Sequence, residues 1–136
     1  MDILIIDDDC EITEMMSDFL SMFDHTVDIM NTAPESIVEK TYDIAFLDCH
    51  IDNKDYMTEE NNFLAKINSK YKFFFTGSSD RLVSHTVVQQ VDGVVQKPVD
   101  FNTIKQLIDI IQSTAQITSS DIKQLKKNGV ILFMPY

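Results

Sequence analysis

The stretch that decides the fold is "ILIIDDD", residues 3–9, in which four branched aliphatic residues precede three carboxylates. A run this apolar predicts a buried β-strand, so Asp7, Asp8 and Asp9 are expected where that strand reaches the surface. Three like charges there repel one another. Two carboxylates about 4 Å apart cost about 4 kcal/mol at an effective dielectric of ~20. The fold must therefore supply something that offsets this repulsion.

The rest of the chain alternates strand-like and helix-like segments. Further strands are predicted at Thr26–Thr32, at "DIAFLD" (43–48), at "KFFFTG" (72–77) and at "GVVQKP" (93–98). Between and after them, apolar residues at helical spacing predict helices around Ile12–Phe23, Phe63–Ile67, Leu82–Val88 and Phe101–Ile111, the last capped by Asp100. A Thr-Ala-Pro start signal (32–34) predicts one more helix over Ala33–Tyr42. Five such βα units imply a parallel sheet covered on both faces.

Composition excludes several classes of protein. The formal net charge is −11, from 11 basic and 22 acidic residues, which argues against direct binding of nucleic acid. No apolar run approaches the ~20 residues of a membrane span, and the N-terminus lacks the pattern of a signal peptide. Cys10 and Cys49 have no metal-type spacing, which favours reduced thiols in a cytoplasmic protein.

Functional groups of a parallel α/β sheet gather beyond the carboxyl ends of its strands. Those ends carry the acidic triplet, Asp48, Thr76 and Lys97. Clustered carboxylates are stable together when they hold a hard divalent cation, and Mg²⁺ commonly combines one or two carboxylates with phosphate oxygens. Thr76 and Lys97 would complete a phosphoryl site, one as a hydroxyl donor and one as a positive charge.

The segments "ILIIDDD", "IAFLD", "FFFTG" and "VVQKP", in this order, resemble the receiver domain of two-component response regulators over residues 1–114. The resemblance implies a doubly wound five-stranded parallel sheet in the flavodoxin-like order 2-1-3-4-5. It also implies roles for the site residues. Asp48 would be the phosphoacceptor, Thr76 would supply the switch hydroxyl, and Lys97 matches the lysine that is invariant in the family. Mg²⁺ would be bound by Asp7, Asp8, Asp48 and the backbone carbonyl of His50.

Partners are implied by the same resemblance. A sensor histidine kinase or a histidine phosphotransfer protein would supply the phosphoryl group, and an unknown downstream protein would read it. The chain would catalyse only its own phosphorylation and dephosphorylation. Val94 stands where many receivers have an aromatic residue that rotates on phosphorylation, which questions that route of output.

Residues 115–136 lie outside the resemblance and are expected to form a C-terminal extension. "SSDIKQLKKNG" (119–129) predicts a helix that ends at Gly129, and "VILFMPY" (130–136) predicts a strand. Those apolar residues would favour aggregation if exposed. They are expected to pack on the receiver, preferably along an edge strand, or in a homodimer.

Two other functions remain open. A phosphatase of the haloacid-dehalogenase type also has a first strand ending in Asp-x-Asp, here Asp7 and Asp9, but it does not need Asp48. A binding module could keep the receiver fold without control by phosphorylation, since the switch aromatic is absent.

Overall fold

A computed structural model describes residues 1–51, 54–55, 63–77, 90–98, 100–113 and 117–133. Its strands are β1 Asp2–Ile6, β2 Thr26–Met30, β3 Thr41–Asp48, β4 His50–Ile51, β5 Lys54–Asp55, β6 Asn68–Thr76, β7 Gly93–Gln96 and β8 Val130–Leu132. Its helices are α1 Cys10–Ser21, α2 Phe101–Gln112 and α3 Ser119–Lys127, with a 3₁₀ turn at Leu64–Lys66. Among the described residues, no helix is both long and apolar enough to cross a lipid bilayer.

One six-stranded sheet organises the molecule, in the order β2-β1-β3-β6-β7-β8. Its first five strands run parallel, and β8 joins β7 in the antiparallel direction. Strands β4 and β5 form a separate two-stranded ribbon. Without that ribbon the parallel strands have the order 2-1-3-4-5, so the predicted fold class is confirmed with a sixth strand added at one edge.

The side chains of β1, β3, β6 and β7 alternate between two apolar layers, as the two-residue period of a strand requires. On one face, Ile3 and Ile5 of β1 pack in a layer with residues of α1, α2 and α3, among them Met16, Leu107 and Leu125. On the other face, Leu4 and Ile6 pack with the 3₁₀ segment, including Phe63, Leu64 and Ile67. The central strands are thus buried on both sides, which explains their nearly continuous apolar sequence.

The predicted helix over Ala33–Tyr42 is wrong. Residues 31–40 are irregular, and Tyr42 is the second residue of β3. Tertiary contacts replace the helix: the Val38 amide donates to the Lys66 carbonyl over 2.9 Å, and the Tyr42 hydroxyl donates to Asp28 over 2.8 Å. The segment also lacks an apolar stripe, because Ile37 is 71% exposed. A Thr-Ala-Pro start signal alone is not sufficient for a helix.

Two other predicted helices have different outcomes. The segment Phe63–Ile67 contains only a single 3₁₀ turn before β6 begins at Asn68. The helix predicted over Leu82–Val88 lies outside the described residues. Helix α2 is confirmed, and the side chain of its N-cap residue Asp100 accepts the amide of Asn102 over 3.0 Å.

The extension after residue 116 forms a helix and a strand. A capping box between Thr118 and Asp121 begins α3, and Gly129, with φ +89°, ends it. Strand β8 then pairs with the edge strand β7, as the sequence favoured. The first three residues of the apolar run are therefore paired within the chain's own sheet.

Candidate functional site

The carboxyl ends of neighbouring strands bring the predicted site residues together. Asp7 follows β1, Asp48 ends β3, and Lys97 follows β7. Residues Ile6 and Leu47 pair directly across β1 and β3, so Asp7 and Asp48 follow from adjacent positions of the ladder. The backbone register of the sheet thus fixes two carboxylates side by side.

Lys97 lies against both of these carboxylates. Its Nζ is 3.0 Å from Asp7 Oδ2 and 3.4 Å from Asp48 Oδ1. The side chains of Asp7 and Asp48 are only 1% and 8% exposed, and that of Lys97 is 26% exposed. One ammonium therefore offsets part of the repulsion between two buried carboxylates. This contact is one of the stabilising interactions that the acidic sequence requires.

The ammonium group stays charged in this setting. Burial by itself lowers the pKa of Lys97, but the hydrogen bond that Lys97 donates to Asp7 and the charges of Asp48 and Asp7 outweigh it and raise the pKa above its usual value. The raised pKa keeps a positive charge beside Asp48 throughout the neutral range.

Asp8 adds a third carboxylate to this group. One oxygen from each of Asp7, Asp8 and Asp48 lies within 4.8 Å of the others, with Asp8 on the exposed side. Lys97 thus faces a group of three carboxylates. Hard oxygen donors in a compact, partly exposed group suit Mg²⁺, so the donor set fits the ion that the sequence predicted.

Two polar residues missed by the sequence analysis hold this end of β1 in place. The side-chain amide of Asn31 donates to the Asp7 carbonyl over 2.8 Å and to the Thr13 hydroxyl over 3.1 Å. Asn31 directly follows β2, so the strand-end rule that found Asp48 could have found it too. Thr13 gives no such signal, because its position on α1 resembles that of any core residue.

Asp9 has a structural role in this arrangement. Its side chain accepts the Ile12 amide over 3.2 Å as the N-cap of α1, and its own amide donates to Asp7 Oδ1 over 3.0 Å. Asp9 is therefore the cap of α1, and its amide also orients the buried carboxylate of Asp7.

Thr76 and His50 are placed only by their backbones. Thr76 is the last residue of β6 and pairs with Gln96, the residue before Lys97. His50 begins β4, two residues beyond Asp48, and pairs with Asp55. The hydroxyl of Thr76 lies outside the described part of the structure, and the expected role of His50 concerns its backbone carbonyl as a metal ligand. Both roles stay predictions.

Similar folds occur among solved structures, although the sequence matches no family model and no curated protein. A two-component response regulator from Clostridium difficile is similar, with a TM-score of 0.68 and 19% identity over 81% of this chain and 93% of that one. The response regulator TrrA from Thermotoga maritima, in complex with Mg²⁺-BeF, gives 0.61 and 18% over 81% and 97%. A receiver domain protein from Methanospirillum hungatei gives 0.60 and 21% over 94% and 98%. The chain therefore has the fold of response-regulator receiver domains.

Proposed function

We propose that this chain is the phosphoacceptor receiver of a two-component phosphorelay. Asp48 would take a phosphoryl group from a phosphohistidine, with Mg²⁺ held by Asp7, Asp8, Asp48 and the carbonyl of His50. The observation that supports this most is the group of three carboxylates around Lys97 at the carboxyl edge of a receiver-type sheet.

The chemistry requires a carboxylate nucleophile and nearby positive charge. An oxygen of Asp48 would bond to phosphorus as the phosphorus–nitrogen bond of the phosphohistidine breaks, and the imidazole nitrogen would keep the electron pair and take up a proton from solvent. Bound Mg²⁺ would add positive charge against the phosphoryl oxygens. Lys97 supplies such charge from this chain, and phosphoryl transfer depends mostly on positioning and electrostatics.

Thr76 and the partners complete the proposal. The Thr76 hydroxyl would gain a charge-assisted hydrogen bond to the phosphoryl group. A sensor histidine kinase or a histidine phosphotransfer protein would donate that group in the cytoplasm, and an unknown protein would read the result. We infer no turnover of an external substrate, only phosphorylation and hydrolysis at Asp48 itself.

The test is intact mass spectrometry after incubation with a small-molecule phosphodonor. With millimolar Mg²⁺ we expect the mass of one added phosphoryl group, and with excess chelator we expect none. Asp8→Ala should abolish most of the gain, because Asp8 completes the acidic group, whereas Asp18→Ala, an exposed acid on α1, should retain it.

The two other functions give different outcomes. Release of inorganic phosphate over many turnovers, without a phosphorylated chain and independent of Asp48, would favour a phosphatase. No mass gain and no turnover under any condition would favour a binding module that is not controlled by phosphorylation.

A further inference from the structure

The C-terminal extension ends its contact with the sheet beside the candidate site. Strand β8 pairs with β7 along Gly93–Leu132, Val94–Ile131 and Val95–Val130. The ladder continues past β8 itself, because the Gln96 amide donates to the Gly129 carbonyl over 2.8 Å. Gln96 immediately precedes Lys97. The bond between Gln96 and Gly129 is thus one residue away from the lysine that contacts Asp7 and Asp48.

On its other side, Gln96 lies next to Thr76, the predicted switch hydroxyl. In the parallel ladder between β6 and β7, Gln96 pairs with Thr76. The backbone of Gln96 thus lies between the strand that ends at Thr76 and the turn at Gly129. A cleft of about 370 Å³ is lined by Gln96, Lys97, Asn128 and Gly129 among others, so the stem of Lys97 borders the same turn.

Close packing at Gly129 makes this junction sensitive to small changes. Gly129 has φ +89°, and a Cβ added there would lie 3.3 Å from Gln96 Cβ. Any larger residue would therefore be strained and would press on Gln96. A displacement of the turn by a few tenths of an ångström would therefore shift Gln96, the residue before Lys97.

The extension has few buried side chains, which suits it to local opening. Within residues 117–133, only Leu125 and Val130 are buried, and the remaining side chains are half-buried or exposed. Segments with few buried apolar contacts open locally at lower free energy than the core does. In the docked form, Gly129 accepts the amide of Gln96, the residue before Lys97, and local opening of the extension would remove this bond.

We propose that docking of the C-terminal extension on β7 is coupled to the phosphoryl state of Asp48, and that the extension reports phosphorylation. Docking fixes the backbone from which Lys97 reaches the acidic group, so a phosphoryl group on Asp48 favours the docked form. By linkage, the docked form binds a phosphoryl mimic more tightly by the same factor. This proposal rests on the proposed function, and it supplies an output route that does not need an aromatic residue at Val94.

Hydrogen exchange of single amides tests the coupling in the full chain. The probe is Mg²⁺ with beryllium fluoride, a mimic of the phosphoryl group, and its binding is followed separately by fluorine NMR. The key amide is that of Phe133, which donates to the Asp92 carbonyl over 2.8 Å at the end of the ladder farthest from Lys97. Its exchange through local opening of the extension should slow about fivefold or more on binding.

A control amide separates local coupling from global stabilisation. A ligand slows every amide that exchanges by global unfolding, but it leaves local openings unchanged unless they are coupled to its site. The amide of Thr26, which donates to the Met1 carbonyl at the opposite edge of the sheet, should keep its local exchange rate.

Substitutions test the reciprocal effect. Gly129→Ala should weaken the apparent affinity for the mimic by the factor seen in the exchange of Phe133. Leu125→Ala, which loosens the extension at a residue outside the β7–β8 ladder, should act in the same direction, and Lys123→Ala, on the exposed face of α3, should not. Melting curves identify any variant that fails to fold.

Each outcome decides the proposal. Binding of the mimic with unchanged exchange at Phe133, and unchanged affinity in folded Gly129→Ala and Leu125→Ala, would overturn the coupling and leave the phosphoacceptor function intact. Slower exchange at Phe133 together with weaker affinity in both variants would support it. Failure of the mimic to bind at all would overturn the phosphoacceptor function, and the coupling with it.

Discussion

At the scale of residues, the site depends on the balance between three carboxylates and one ammonium. Asp7 and Asp48 are almost fully buried, so the single positive charge of Lys97 matters more here than in an exposed ion pair. Removing one partner of a buried pair leaves an uncompensated charge, which is more costly than losing the pair itself. Lys97 is therefore expected to be a stability determinant as well as a participant in phosphoryl transfer.

Lys97→Met should lower the free energy of unfolding by about 3 kcal/mol in the absence of divalent ions, the low end of the range for buried pairs because Lys97 is 26% exposed. Urea denaturation measures the loss. Millimolar Mg²⁺ should restore part of it, because a cation that binds only the native state relieves the same repulsion. Lys105→Met, which removes an exposed i,i+4 pair with Asp109, should cost less than about 1 kcal/mol.

The pH dependence gives a second check on Lys97. Because the pKa of Lys97 is raised in the folded protein, its stabilising contribution is fully present below the ordinary lysine value and is lost as pH rises through the raised pKa. The difference between wild type and Lys97→Met should thus be constant at neutral pH and shrink only in strongly alkaline solution. An equal difference at both extremes would mean that the loss comes from packing of the side chain.

At the scale of elements, local sequence patterns predicted a strand or helix correctly where they agreed with tertiary packing. Strand β1, strand β3 and helix α2 have strong apolar patterns and clear ends, and the structure has them close to the predicted bounds. The segment Ala33–Tyr42 had only a start signal. Its bonds from Val38 and Tyr42 go to residues distant in sequence, which periodicity cannot reveal.

The candidate site divides in the same way. Asp7, Asp48 and Lys97 could be found because parallel strands deliver their carboxyl ends to one edge of a sheet. The contact of Lys97 with both carboxylates could not be predicted in detail, since it depends on side-chain conformation across 90 residues of sequence. The bonds of Asn31 to the Asp7 carbonyl and Thr13 also required the structure.

Helix α3 is attached to the core chiefly through Leu125, which is fully buried against the layer that includes Ile104 and Leu107. Leu125→Ala should lower the free energy of unfolding by about 2–3 kcal/mol, near the low end for buried leucine because a terminal helix can relax or detach. Denaturant unfolding measures it. Gln124→Ala, exposed on the same helix, is the matched control and should change stability by less than about 0.5 kcal/mol. Equal stability of the two variants would contradict the described packing of α3.

At the scale of the whole molecule, charge is divided along the chain. Residues 1–60 contain 17 acidic and 2 basic residues, whereas residues 61–136 contain 5 acidic and 9 basic. The fold brings these halves together at one point, where Lys97 from the second half meets Asp7 and Asp48 from the first. The extension adds Lys123, Lys126 and Lys127 to the same basic half. Lys127 lines the same cleft as Lys97, so the basic extension borders the acidic site.

The central claim is that Asp48 accepts a phosphoryl group. The roles proposed for the acidic group, for Lys97 and for the extension all depend on it. The most direct measurement is intact mass of wild type and Asp48→Asn after incubation with Mg²⁺ and a small-molecule phosphodonor, followed by peptide mapping. Asp48→Asn keeps the shape of the side chain and removes the nucleophile, so we predict one phosphoryl group on wild type and none on the variant. Undiminished phosphorylation of Asp48→Asn, mapped to Asp7 or Asp9, would contradict the account.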